Sequence, residues 1–151
     1  MHSDIGIMQK ISTRVENGET HYYTGSYCGY FTCIIKSKYL ITWEYVAQPD
    51  SPNESKWENA TYVVGDKVYF FVRQMRSDNS LPPYGFLTYY DLITENWATP
   101  VLIKDSQSRS DFIEYGGNLY LFHAPNDRNG IGIVKINKDN LANSSVVLNA
   151  K

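Results

Sequence analysis

A set of short apolar strands returns along this chain at an interval of about fifty residues, the feature that most restricts its fold. Superposing Val68-Tyr69-Phe70-Phe71 on Leu119-Tyr120-Leu121-Phe122 gives a spacing of 51 residues, and Gly85 on Gly130 gives 45. In the middle copy, residues 61–64 and 68–72 are β-branched and aromatic runs joined by Gly65-Asp66, which predicts a hairpin. A third strand, 85–90, follows a loop carrying Pro82 and Pro83, and a fourth, 97–103, follows a turn at 91–96. The last copy keeps the order: 112–115, the turn Gly116-Gly117-Asn118, then 119–123, 130–136 and 146–148. The first third is a less regular copy, with strands at 5–11, 20–27, 30–36 and 43–46 and a turn at Asn17-Gly18. Residues 137–145, rich in Asn, Asp and Ser, read as a turn, and no stretch reads as a helix of credible length.

The expectation is an all-β chain of three four-stranded antiparallel sheets covering 4–50, 56–104 and 109–150, each the size of a β-propeller blade. Propeller blades bury both faces only when the ring closes, which takes about four to eight of them. Three blades cannot close. The outer faces of the end blades are then left apolar, so the reading is a partial propeller from a longer protein, half of a six-bladed dimeric ring, or another stacking of the sheets.

Composition narrows the partners. With 42% hydrophobic and 15% aromatic residues the chain is too apolar for disorder. Fourteen basic against sixteen acidic side chains, without a Lys/Arg run, argue against a nucleic-acid partner. No apolar stretch approaches the roughly 18 residues of a membrane span, and residues 1–10 lack the apolar core of a signal peptide. Cys28 and Cys33 fit neither a disulfide scaffold nor a four-ligand zinc site and read as free, structural thiols, so neither metal nor cofactor is expected. Thirteen tyrosines supply side chains that are half apolar and half hydrogen-bonding, suited to packing between sheets and equally to stacking on sugars.

Ser37-Lys38-Tyr39-Leu40-Ile41-Thr42-Trp43-Glu44-Tyr45-Val46 resembles the turn signature S-x-D-L-x-x-W-x-x-V of glycoside-hydrolase propellers, with Tyr39 in place of the acidic residue. Tyr90-Asp91-Leu92-Ile93-Thr94-Glu95-Asn96-Trp97 keeps the Asp-Leu pair, and Gly117-Asn118-Leu119-Tyr120-Leu121-Phe122 is similar to the inner hairpin of such blades. Together they resemble the sialidase-like superfamily and the related arabinanase and fructosidase propellers. The resemblance implies a carbohydrate partner, held in the central funnel, and an extracellular or periplasmic setting. Because its motifs lie in structural turns, it bears on fold more than on chemistry.

In such propellers the chemistry stands where each innermost strand begins. Carried over by position, this selects Trp57-Glu58-Asn59 in the second blade and Arg109-Ser110-Asp111 in the third. Glu58 and Asp111 are the candidate acid and base, whose separation distinguishes retaining from inverting hydrolysis. A solvated strand-end role is the alternative for both. Arg109 resembles the arginine that helps clamp a sugar carboxylate in sialidases, although Arg109-Ser110-Asp111 stands where R-I-P is usual. Arg73, His123 and Arg128 follow the second strands and are candidate glycan contacts. Arg73 equally suits an ion pair to a neighbouring blade, and His123, with no second histidine near it, a structural role. The non-catalytic alternative is a propeller fragment or module that binds glycans or a partner protein.

Overall fold

A computed structural model describes residues 9–29, 31–49, 56–74, 84–106, 110–125 and 127–150. Its strands form three antiparallel sheets in chain order. Blade 1 holds β1 (Ser12–Glu16), β2 (Glu19–Cys28), β3 (Phe31–Ser37) and β4 (Glu44–Ala47). Blade 2 holds β5 (Lys56–Val64), β6 (Lys67–Gln74), β7 (Tyr84–Asp91), β8 (Asn96–Trp97) and β9 (Val101–Lys104). Blade 3 holds β10 (Asp111–Tyr115), β11 (Asn118–His123), β12 (Ile131–Ile136) and β13 (Ser145–Ala150), with one 3-10 turn at Leu141–Asn143. The three expected blades are present, and the 3-10 turn falls inside the stretch read as a turn.

Two boundaries differ from the sequence expectation, each for a physical reason. The first strand is not 5–11: Gln9 to Ile11 are outside any strand, residues 5–8 lie outside the described residues, and β1 begins at Ser12. Its register is set by the two-residue turn Asn17-Gly18, where φ is +51° and +80°, so that Glu16 faces Glu19 and Ser12 faces Tyr23. The fourth strand of blade 2 is split, with β8 and β9 pairing separate parts of β7. Pro100 lies in the gap, where it has no N–H to give to the ladder.

The turn after the third strand is the same device in every blade. Ser37 Oγ accepts hydrogen bonds from the amides of Tyr39 and Leu40. Asp91 Oδ1 accepts them from Ile93 and Thr94, and Asn137 Oδ1 from Asp139 and Asn140. Asp91 therefore occupies the position of Ser37, not of Tyr39, and Trp43 and Trp97 each follow six residues later. A short polar side chain that caps its own turn is what this position needs, and Ser, Asp and Asn all supply it.

Blade 2 is packed on both sides. Ala60, Tyr69, Phe71, Leu87 and Ile103 meet Phe112, Leu119, Leu121, Val134 and Ile136 of blade 3. Val63, Val68, Phe70 and Val72 meet Tyr23 and Ile34 of blade 1. The opposite face of blade 3, which includes Ile113, Tyr115 and Leu148, is open to solvent, as expected for an end blade.

Cys28 and Cys33 are not free thiols: they form a disulfide across the β2–β3 hairpin, with Cα atoms 5.9 Å apart. Antiparallel pairing of Ser26 with Cys33 and Cys28 with Phe31 brings the two cysteines diagonally together, on the side of the sheet that also carries Ile35. A spacing of five residues carries no such information until the hairpin register is fixed. Removing the link with a Cys28→Ser, Cys33→Ser double variant is expected to lower the unfolding free energy by about 2 kcal/mol, the chain-entropy value for so short a loop. Urea unfolding of the oxidised parent and the variant measures it.

Blades 1 and 2 are also joined by charge. Arg14 donates to Gly65 O at 3.1 Å, to Asp66 and to Glu16 Oε1 at 2.7 Å, and Glu16 also accepts from the Tyr23 hydroxyl. Burial opposes the charge on Glu16, but the hydrogen bonds from Tyr23 and Arg14, with Lys36 and His21 nearby, outweigh it and hold the carboxyl below its usual range. A depressed carboxyl contributes stability above its unfolded pKa, and that contribution is lost as pH falls through the lower, folded value. Glu16→Gln is expected to be less stable than the parent at pH 7 and to approach it near pH 3, read from melting temperatures across that interval.

Candidate functional site

The innermost strands β1, β5 and β10 approach one another, and a cleft of about 260 Å³ opens between them, lined by Gln9, Lys10, Ala60, Ser110 and Asp111. Lys10 reaches from blade 1 to blade 3. Its Nζ stands 3.3 Å from Asp111 Oδ2, donates to Phe112 O at 2.9 Å and lies over the Tyr62 ring at 5.5 Å from the centroid. Asp111 Oδ1 accepts from the Phe112 amide at 2.8 Å. One carboxylate is thus fixed at the meeting point of three blades by a cation and a backbone donor.

Glu58 lies near the start of β5, at an irregularity in pairing: Lys56 faces Gln74 and Asn59 faces Val72, so the β5 side carries one extra residue. Such a bulge re-aims side chains at a strand end. Glu58 Oε1 is 3.7 Å from Arg73 Nη1 on the neighbouring strand β6, so among the described residues the arginine pairs within its own blade. Glu58 Oε2 and Arg73 Nε are both buried without a hydrogen-bond partner. Tyr27 of blade 1 is within electrostatic reach: burial pushes its phenol up, the Glu58 carboxylate adds to that and Arg73 offsets it.

Next to Glu58, Asn59 is 3% exposed, and neither its amide oxygen nor its amide nitrogen has a partner. It fits only because residue 25 is glycine: a Cβ there would overlap Asn59 Oδ1. The Gly25 amide in turn donates to Thr61 Oγ1 at 2.9 Å, tying β2 to β5.

The remaining sequence candidates are placed differently. His123 is buried, its ring lies against Gly132, and its Nδ1 is 3.0 Å from Ala124 O. Arg128 is an exposed turn residue with φ +58° whose amide donates to Pro125 O. Trp57 is on β5, with its side chain outside the described residues, and Arg109 lies outside them altogether. Among the described residues no three His, Cys, Asp or Glu side chains gather where they could hold a metal ion. Sequence reasoning named Asn59 beside Glu58 but missed Lys10, Tyr27 and Thr32. The rule that chemistry stands at the start of an innermost strand selects Lys10 once β1 is given its observed boundary, whereas no sequence signal pairs Asn59 with Gly25.

Neither a family model nor a curated protein matches the chain. Solved structures do. The xylan β-1,4-xylosidase of Bacillus halodurans C-125 superposes with TM-score 0.63 at 15% identity, over 89% of this chain and 30% of that one. The GH43 protein BlXynB of Bacillus licheniformis gives 0.65 at 15% identity, over 96% and 31%. A variant of NanB sialidase from Streptococcus pneumoniae gives 0.57 at 16% identity, over 89% and 22%. The fold is that of glycoside-hydrolase and sialidase propeller blades. The chain spans about a third of the length of the xylosidase-type structures it matches, so it corresponds to some of the blades of such a propeller. Within these blades the Gly25–Asn59 contact sets how closely blade 1 approaches blade 2. Gly25→Ala is expected to cost about 1–3 kcal/mol by overpacking, measured by urea unfolding, with the larger part of the loss absent when Asn59→Ala is made in the same chain.

Proposed function

We propose that these blades contribute to a carbohydrate-active propeller of the glycoside-hydrolase type, acting on a glycan held at the cleft between the innermost strands. The observation that carries this reading is the Glu58–Arg73 pair. A carboxylate and a guanidinium stand 3.7 Å apart near the start of an innermost strand, each with a buried polar atom left open, as a hydroxyl-rich ligand requires. Asp111, held by Lys10 at the neighbouring innermost strand, supplies the second carboxylate. In this reading Asp111 is the general base and Glu58 the general acid that gives its proton to the leaving oxygen, with Arg73 orienting the sugar. In this reading His123 supports blade 3 from within, Arg128 extends from the loop between β11 and β12, and Arg109 and Trp57 remain candidate glycan contacts. The xylosidase and GH43 likenesses favour a xylan-type or arabinan-type oligosaccharide over a sialoside as first substrate. The disulfide suits an oxidising, extracellular or periplasmic compartment.

A second reading is sugar binding without turnover. It is favoured by the fact that both carboxylates are already engaged by cations, Lys10 and Arg73. Closure of the ring is part of either reading. The open face of blade 3 calls for further blades on the same polypeptide or for a second copy completing a six-bladed ring, and light scattering separates the two as monomer or dimer.

Hydrolysis of xylobiose and of aryl β-xylosides and α-arabinosides is the test. Glu58→Gln and Asp111→Asn are each expected to lower turnover about tenfold or more. Binding that survives both substitutions, with no turnover in the parent, establishes the second reading in place of the first.

A further inference from the structure

The seam between blades 1 and 2 contains polar atoms that neither the fold nor the Glu58–Arg73 pair uses. On the blade 1 side, Tyr23, Gly25 and Tyr27 alternate along β2, facing blade 2, and the register pairs Tyr27 with Thr32 and Gly25 with Ile34 on β3. Thr32 and Ile34 therefore share that face. On the blade 2 side, Val63 and Thr61 meet Ser12 and Gly25, and Asn59 lies against Gly25 at the next position toward the strand start. The upper half of the seam is apolar and closed by Tyr23, Val63, Val68 and Phe70. At its other end the apolar packing gives way to Tyr27, Thr32 and Asn59, beside Glu58.

Thr32 is 1% exposed and Asn59 3% exposed, yet Thr32 Oγ1 and both polar atoms of the Asn59 amide lack any partner. Glu58 Oε2 and Arg73 Nε add two more buried atoms in the same condition at the adjoining residues. A buried polar atom left open costs on the order of 1–3 kcal/mol, and most buried polar atoms in folded proteins are satisfied. Concentrating several of them at one end of one seam is the composition of a place where something with hydroxyl chemistry sits. An amide with one acceptor and two donors on one side of the seam, and on the other a hydroxyl that both gives and takes, match an O–H group. The glycine at 25 is consistent with this, since any side chain there would push Asn59 out of the seam.

We propose that Asn59 and Thr32 form a hydroxyl-binding subsite at the seam of blades 1 and 2, next to Glu58. Its guest is a single O–H group, from a trapped water or from a sugar hydroxyl that takes the water's place. The water form of the proposal stands on the seam alone, whereas the sugar form rests on the carbohydrate reading given above. Asn59 is in either case a positioning residue, holding the guest beside the Glu58 carboxylate without reacting itself.

Thr32→Val keeps the shape of the side chain and removes only the hydroxyl, and Asn59→Leu does the same for the amide. The two variants are compared with the parent by thermal unfolding without ligand and by calorimetric titration with xylobiose. A trapped water gives a melting temperature lower by at least about 2 °C in each variant, with the two losses non-additive in the double variant because they share one guest. A sugar hydroxyl gives xylobiose binding weakened about tenfold in each variant, with the unliganded melting temperature unchanged or raised. Both effects together mean that the sugar displaces the water. If each variant melts at or above the parent temperature and xylobiose binding is unaltered or absent throughout, the seam is dry and the proposal is overturned. That outcome leaves the turnover tests on Glu58 and Asp111 untouched, and loss of turnover in those variants says nothing about the unliganded melting temperatures, so the two readings fail separately.

Discussion

Strand β6 is buried on both of its faces, and the rest of the structure is arranged around that fact. Val68, Phe70 and Val72 point into the core shared with blade 1, while Tyr69 and Phe71 point into the core shared with blade 3. All five are at most 1% exposed. A strand in this position has no solvent face, so its apolar residues run without alternation and two sheets must cover it. Burying large side chains on both sides contributes roughly 1.5–3 kcal/mol for each of them. The two neighbouring blades are held where they are mainly by this one strand and by β5 and β7 beside it.

That packing brings the beginnings of three innermost strands together, and with them residues distant in the chain. Lys10 and Asp111 are 101 residues apart and form an ion pair across the cleft. Glu58 and Arg73 are neighbours within one blade, yet the bulge in β5 and the approach of Tyr27 from blade 1 decide their surroundings. The seams are not uniformly apolar. At one end of the blade 1–blade 2 seam, Arg14, Glu16, Tyr23 and Asp66 satisfy one another, whereas Asn59, Glu58 and Arg73 of blade 2 and Thr32 of blade 1 carry open polar atoms. The contrast is between a satisfied polar network and a group of polar atoms left open.

Much of the architecture was legible because it depends on local chemistry. Asn17-Gly18 and Gly116-Gly117 supply the positive φ angles that two-residue hairpins need, and all four residues adopt them. Ser37, Asp91 and Asn137 each cap their own turn after the third strand of a blade, which makes the repeat detectable despite different residues. The first strand was misplaced because the apolar run 5–11 drew it upstream, whereas hairpin register placed it at Ser12–Glu16. The cysteines were misread because a spacing of five says nothing about which residues face each other across a hairpin. Of the candidate site, Glu58 and Asp111 were legible from their positions at strand starts, but their partners were not.

The sequence by itself determined the number of blades, most strands and the turns joining them, because period-two side-chain alternation and turn chemistry act over a few residues. Only the tertiary structure decided which faces are shared, that Lys10 holds Asp111, that Cys28 joins Cys33 and that Asn59 lies on Gly25. Those contacts depend on how one twisted sheet seats on another. That seating is fixed by the summed packing of many side chains and leaves no mark on any single stretch of sequence.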